Sequence, residues 1–272
     1  MDATPDPTLA FAVTTRSRLK SARFFFPMLT ANAAISRQLR DTPGAVGFAS
    51  VVAGPREFWT ISLWRSRDDM QRFMRSGAHE HFLWRISRWF DSFWLMRWAS
   101  AEGERAADEI PSHDPGTAAE VLVGIPMLLA SFHESGRPTY QGAPNVREGR
   151  ERVRGIAGSV IRISPRSAFG VVPAWRRARQ IERTLRSGTG VLRTSSGLSG
   201  RDAYVLAVCS NEAASQTLAS HPLVADTLGR RGGEASLTRW CAENEFGQWD
   251  GLRMRRVRPS VKQGEPAATG PS

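Results

Sequence analysis

Along this chain the hydrophobic and polar positions run through the same series of patterns twice. Short β-prone runs come first, at Leu9 to Thr15 and at Ser159 to Ile163, where Ser-Val-Ile-Arg-Ile alternates as a strand does. Helix-spaced stretches follow, Ala22 to Arg40 and Ala174 to Arg186. They stop at the turn residues Asp41-Thr42-Pro43-Gly44 and Ser187-Gly188-Thr189-Gly190. Hairpins come next. Ala45 to Val52 and Phe58 to Trp64 flank Ala53-Gly54-Pro55-Arg56, while Val191 to Ser196 and Ala203 to Val208 flank Gly197-Leu198-Ser199-Gly200. Ser66 and Ser210 then stand at expected N-caps with acids in the first turn, where they satisfy free N–H groups and complement the dipole. Further helical stretches, His79 to Phe90 and Pro222 to Trp240, lead to closing strands at Phe93 to Trp98 and Trp249 to Val257.

The order β-α-β-β-α-β is that of the split βαβ unit. The expected class is therefore α+β, with two ferredoxin-like (βαββαβ) repeats. A shift of 146 residues sets Pro27 on Pro173, Gly44 on Gly190, Gly54 on Gly200 and Phe58 on Tyr204. Arg88-Trp89 falls on Arg239-Trp240 if the second copy carries an insertion. A sheet with helices on one face must bury its other face, and two copies can bury theirs against each other. The expectation is an intramolecular dimeric α+β barrel. Its boundaries are 1-105 for the first repeat, 106-155 for a linker, 156-258 for the second repeat and 259-272 for a disordered tail. Within the linker, Val121 to Phe132 is the apolar piece available to pack on the body.

Composition changes this picture little. No apolar run in the 272 residues approaches the roughly 20 needed to span a bilayer. The start lacks the pattern of a signal peptide, so a cytoplasmic protein is expected. The formal charge is +11, yet lysine occurs only at Lys20 and Lys262 and the arginines are scattered. Nucleic acid is not the expected partner; contact with an anionic membrane surface stays open. Cys209 and Cys241 have no metal or redox spacing and read as small buried hydrophobes. The carboxylates form no acid–base dyad.

The chemistry concentrates in the first copy. At about 100° per residue His79, Phe82, Leu83, Ile86, Trp89 and Phe90 share one helix face, so His79 points inward. Such a histidine is either a core residue bonded to a carbonyl, an axial ligand to haem iron, or a proton-transfer group. Ser76-Gly77-Ala78 before it can break the helix and admit a close approach. His221 lies near the matching place in copy two, with fewer aromatic neighbours. Five of nine tryptophans fall within Trp64 to Trp98, as aromatic core and interface anchors or as the walls of an apolar cavity.

The segment Phe58 to Ser66, continuing through Met70, Phe73 and Ser76-Gly77-Ala78-His79, resembles the antibiotic-biosynthesis-monooxygenase family of dimeric α+β barrels. The tandem layout more closely resembles the spheroidene monooxygenases, haem-dependent carotenoid oxygenases of the same superfamily. The second copy is similar to these at Ile161-Arg162, Gly190-Val191-Leu192 and Glu243 to Phe246. The resemblance implies a monooxygenase acting on a hydrophobic small molecule; a duplicated chain can close its own barrel as a monomer, and exposed strand edges at Trp249 to Val257 leave room for a homodimer. It implies haem b held by His79, more loosely by His221, with Trp64, Phe73 and Trp89 as pocket walls. In the cofactor-independent variant His79 acts as base or orienting group. The rival reading is a non-catalytic ligand-binding protein on the same fold.

Overall fold

The computed structural model describes residues 11–83, 86–100, 155–229 and 233–254. The first half runs β1 (Phe11–Leu19), a 3-10 turn (Ala22–Phe24), α1 (Phe25–Arg40), β2 (Ala45–Val52), β3 (Glu57–Trp64), α2 (Arg67–Met74), α3 (Gly77–Leu83), α4 (Ile86–Trp89) and β4 (Phe90–Ser100). The second runs β5 (Ala157–Pro165), a 3-10 turn (Ala168–Gly170), α5 (Val171–Arg186), β6 (Val191–Ser199), β7 (Asp202–Cys209), α6 (Glu212–Ser220), α7 (Pro222–Leu228) and β8 (Gly233–Gly247). The strands close an antiparallel barrel in the order β1-β3-β2-β6-β7-β5-β8-β4. Each half supplies four neighbouring strands in the same spatial order. The expected linker 106-155, with Val121 to Phe132, and the expected tail 259-272 lie outside the described residues.

The ladders fix which residues correspond. Phe11 faces Trp64 and Ala99, as Ala157 faces Cys209 and Cys241. Ala45 opens β2 against Trp64 with an irregularity before Gly47, and Val191 opens β6 against Cys209 with the same irregularity before Arg193. The two seams between halves then pair a residue with its own counterpart. Val52 meets Leu198 at one, and Ala99 meets Cys241 at the other. Copies related by a twofold axis pair in this way.

This register corrects three expectations. Trp59, not Phe58, corresponds to Tyr204, and Arg97-Trp98, not Arg88-Trp89, corresponds to Arg239-Trp240. The helix expected over Pro222 to Trp240 stops at Leu228, and the closing strand is Gly233–Gly247. Trp249 makes only a bridge with Leu252. The reason is local: helix-permissive Glu234-Ala235-Ser236-Leu237 hid an alternation in which Thr238 and Trp240 turn to the core. At the start of α6, Asn211 rather than Ser210 is the cap, its side chain accepting from the Ala214 N–H at 2.7 Å.

Burial divides into three layers. Inside the barrel, Trp59, Trp94, Trp98 and Trp240 are at most 1% exposed and pack with Ile61, Leu63, Met96 and Leu206 from both halves. Trp98 donates its indole N–H to Thr14 Oγ1 at 2.9 Å. Its ring lies so close to Gly158 that a Cβ there would come within 2.8 Å. Outside, α1 to α4 cover the first half's sheet through Met28, Ile35, Phe58, Trp64 and Phe73. The second half's helices do the same through Ala178, Ile181, Val205 and Leu218. Most of the tryptophans are therefore core, the simpler of the two readings open from sequence.

Candidate functional site

Two places carry chemistry. The first is the corner between α2 and α3. Ser66 caps α2 by accepting from the Asp69 N–H at 3.1 Å, and α3 opens on Gly77, where the chain turns with φ +56°. Gln38 of α1 pins this corner. Its amide donates to the Ser76 carbonyl at 2.8 Å, while its oxygen accepts from the His79 N–H at 2.9 Å. The close approach that Gly77 allows is thus made by Gln38, whose side chain would meet a Cβ there at 3.0 Å. No sequence pattern marked Gln38; its role comes from how α1 and α3 pack.

His79 is half-buried, its ring 4.8 Å from that of Phe73. Nδ1 faces the Met74 carbonyl at 3.3 Å. A carbonyl can only accept, so Nδ1 carries the proton and Nε2 keeps its lone pair. Burial pushes the imidazolium down from 6.5 to about 4, against a smaller opposite pull from that carbonyl. The ring is therefore neutral across the ordinary pH range. His79 is the third residue of α3, and the third residue of α7 is Val224, which is fully buried. A titratable ring thus stands where the other half keeps a core valine.

His221, expected as a second ligand, is used differently. It caps α7, its Nδ1 accepting from the Leu223 N–H at 3.2 Å. The proton then sits on Nε2, and no lone pair is left for a metal. The expected pocket walls are also packed. Trp64 lies 5.2 Å from Phe73, and Trp89 lies 6.1 Å from Phe24 and 6.2 Å from Phe82. Trp64, Phe73 and Trp89 belong to the helix-on-sheet core, and of the three Phe73 is the one whose ring meets His79. The side chain of His81 and all of Trp84 and Arg85 lie outside the described residues.

The second place is one mouth of the barrel, which sequence reading missed. Arg16 is 2% exposed inside it, forked onto Asp250 at 2.8 and 2.9 Å and 3.2 Å from Glu57. Its guanidinium also lies 5.4 Å from the Trp249 ring centroid. Ser195 donates to Glu57 at 2.8 Å from the other half. Asp250 holds a left-handed φ of 46°, a conformation that costs a non-glycine residue and needs support from its surroundings. A cleft of about 530 Å³ opens here, bounded by Arg16, Glu57, Arg193 and Trp249 and reaching Glu182 and Arg186 of α5. It is polar, unlike the apolar cavity expected. The counterpart pair at the other half is Arg162 and Asp202, 2.7 Å apart. The signal was in the sequence: Arg16 and Arg162, and Glu57 and Asp202, fall on each other at nearly the repeat's shift.

Burial pushes the Cys209 thiol up to about 12, so it is inert at ordinary pH. Among the described residues there is no cluster of three or more histidines, cysteines and carboxylates placed to hold a metal ion. No described helix is long and apolar enough to cross a membrane.

No family model matches the chain, and no curated protein matches it. Solved structures do. An aldoxime dehydratase in complex with butyraldoxime shares 11% identity at a TM-score of 0.51, over 88% of this chain and 83% of its own. That likeness is one of fold alone. The neighbours are dimeric α+β barrel proteins, and this chain closes an eight-stranded antiparallel barrel by itself. An anthrone oxidase-like protein superposes over 89% of this chain and 94% of its own at 13% identity, with a TM-score of 0.32. SnoaB, a cofactor-independent oxygenase from Streptomyces nogalater, covers 34% of this chain and 94% of its own at 12% identity, with a TM-score of 0.29.

Proposed function

We propose that this protein is a monooxygenase-type oxidoreductase acting on a hydrophobic small molecule, built from two ferredoxin-like repeats of which the first does the chemistry. The observation that carries the reading is the state of His79. It is a neutral imidazole with Nδ1 tied to a carbonyl and Nε2 without a hydrogen bond among the described residues, at the helix position where the other repeat has valine. A carbonyl that fixes the tautomer of a ligating histidine also orients the ring and raises its donor strength.

Of the two histidines only His79 offers a lone pair suited to haem iron; the rings beside it are packed, so haem would have to part the α2 and α3 cover to reach it. Haem bound there would supply one-electron and O₂ chemistry. The chain's own part is to hold the imidazole neutral, fix its orientation through Met74 and Gln38, and pack it on the Phe73 ring, which Trp64 backs. The cofactor-independent variant is less well served. A base whose conjugate acid titrates near 4 is poorly matched to proton abstraction at neutral pH. A lone pair offered to iron needs no proton at all.

The test is spectroscopic. Purified protein titrated with haemin should show a Soret band that His79→Ala abolishes and His221→Ala leaves intact. A wild-type protein with no band, yet with His79-dependent O₂ uptake on a polycyclic phenol, would replace the haem reading with the cofactor-free one. Neither signal would leave the ligand-binding scaffold as the function.

A further inference from the structure

The start of α5 and the turn before it form a second feature, independent of His79. Phe169 sits on the 3-10 turn and is 94% exposed, while Val172 is 53% and Trp175 40% exposed. At about 100° per residue Val172, Trp175, Arg176, Arg179 and Arg183 share one stripe of α5. The opposite stripe, Ala174, Ala178, Ile181 and Leu185, is the one buried on the sheet. The outer stripe is thus apolar at its start and cationic beyond. Large apolar side chains gathered on a rigid surface mark a contact site.

Charge says what kind of contact. From Gly155 to Ile181 the chain has no aspartate or glutamate, and it carries Arg162, Arg166, Arg176, Arg177 and Arg179. Arg162, Arg177 and Arg179 pair with Asp202, Asp226 and Glu182. Arg166 and Arg176 are exposed and make no ion pair among the described residues. They flank the three apolar side chains. The corresponding start of α1 exposes Phe26 at 62% and has Lys20 and Arg23 before it, but no charged residue follows from Phe25 to Ser36, so the cationic stripe along the helix is missing. Aromatic and aliphatic tips ringed by arginine match an anionic bilayer surface, where the apolar tips enter the headgroup boundary and the guanidiniums meet phosphates. We propose that Phe169, Val172 and Trp175, with Arg166 and Arg176, dock this protein on anionic membrane surfaces.

The full chain should co-sediment with vesicles of phosphatidylcholine and phosphatidylserine at about three to one, and far less with phosphatidylcholine alone. Raising ionic strength from about 0.01 M to about 0.15 M shortens screening from roughly 30 Å to roughly 8 Å and should weaken binding. Arg166→Glu with Arg176→Glu should lower the partition coefficient at least about 25-fold, at about fivefold per arginine. Phe169→Ser with Trp175→Ser should lower it at least about tenfold. All four residues are exposed, so a far-UV spectrum and melting curve like the wild type's confirm that the variants fold. The proposal is overturned if wild-type protein stays in the supernatant at low salt, or if the apolar variant binds as the wild type does. It is equally overturned if sedimentation equilibrium reveals a dimer that Phe169→Ser disperses while no variant touches vesicles. In that case the face belongs to a second copy of the chain.

Discussion

Protonating His79 should destabilise this protein, and the loss can be worked from one ring. The imidazolium titrates near 6.5 in the unfolded chain and near 4 in the folded one. Between those values the unfolded state binds more protons, so stability is full above about pH 6.5 and declines as pH falls toward 4. From pH 7.5 to pH 4.5 the linkage amounts to about 2.5 kcal/mol, and to about 1.4 kcal/mol by pH 5.5. Water on the open side of the half-buried ring screens the charge, so about 1.5 kcal/mol is the lower figure at pH 4.5. The assay is a set of urea melts of wild type and His79→Gln across this range. Carboxylates titrate in both proteins and cancel in the difference, which should close as pH falls. A difference independent of pH would refute the argument, as would an NMR midpoint for the His79 ring near 6.5.

Three further outcomes follow from packing and charge. Asn211→Ala should cost about 1 kcal/mol by removing the α6 cap, and Ser210→Ala less; thermal melts that reverse this order would return the cap to Ser210. Replacing both acids at the barrel mouth, Glu57→Gln with Asp250→Asn, leaves Arg16 buried without an anion and should cost about 3–5 kcal/mol in urea, partly recovered by adding Arg16→Met. Wild-type stability in the double variant would mean that solvent reaches Arg16. Gly158→Val should cost about 1–3 kcal/mol by driving a methyl-bearing carbon into the Trp98 ring, and Trp98→Leu should relieve part of it; a neutral Gly158→Val melt would show that the ring can move.

The repeat was legible because local rules and global closure agree in it. Turns, hairpins and the long helices α1 and α5 announced themselves through Gly44, Gly190 and the 3.6-residue spacing, and the structure moves their ends by a few residues. The closing strands were harder to read. Arg-Trp occurs at 88-89, 97-98 and 239-240, and a match by letters chose the wrong pair. The deciding fact is which residues face Phe11 and Ala157 across the barrel, a long-range pairing that no window of sequence contains. His79 was legible as inward from its helix face, and the carbonyl that sets its tautomer lies five residues back in the chain. His221 looked equivalent by position in the chain, yet His-Pro at a helix start makes it a cap. The Arg16–Glu57 pair could have been found from its repeat in Arg162 and Asp202, whereas its partner Asp250, 234 residues from Arg16, has no such signal.

A barrel with twofold pairing presents each inner feature twice, and that separates framework from function. Arg16 with Glu57 and Arg162 with Asp202 occupy corresponding places, as do Trp98 and Trp240. Features kept in both halves serve what both halves need, which is closure around a shared interior. Features present once must serve something else or be accidents of drift. Drift is a poor account of His79. A half-buried ring whose charged form is disfavoured by burial is a standing liability in acid, and the other half has valine at the same step of its helix. The same reasoning separates the two helix starts. Both expose an apolar side chain and have a cation at or before the turn, but only α5 continues with arginines early in the helix, at Arg176, Arg177 and Arg179. The two halves have diverged on their outer layers, one toward a neutral imidazole among aromatic rings and the other toward a cationic apolar face, while the interior they share has kept its symmetry.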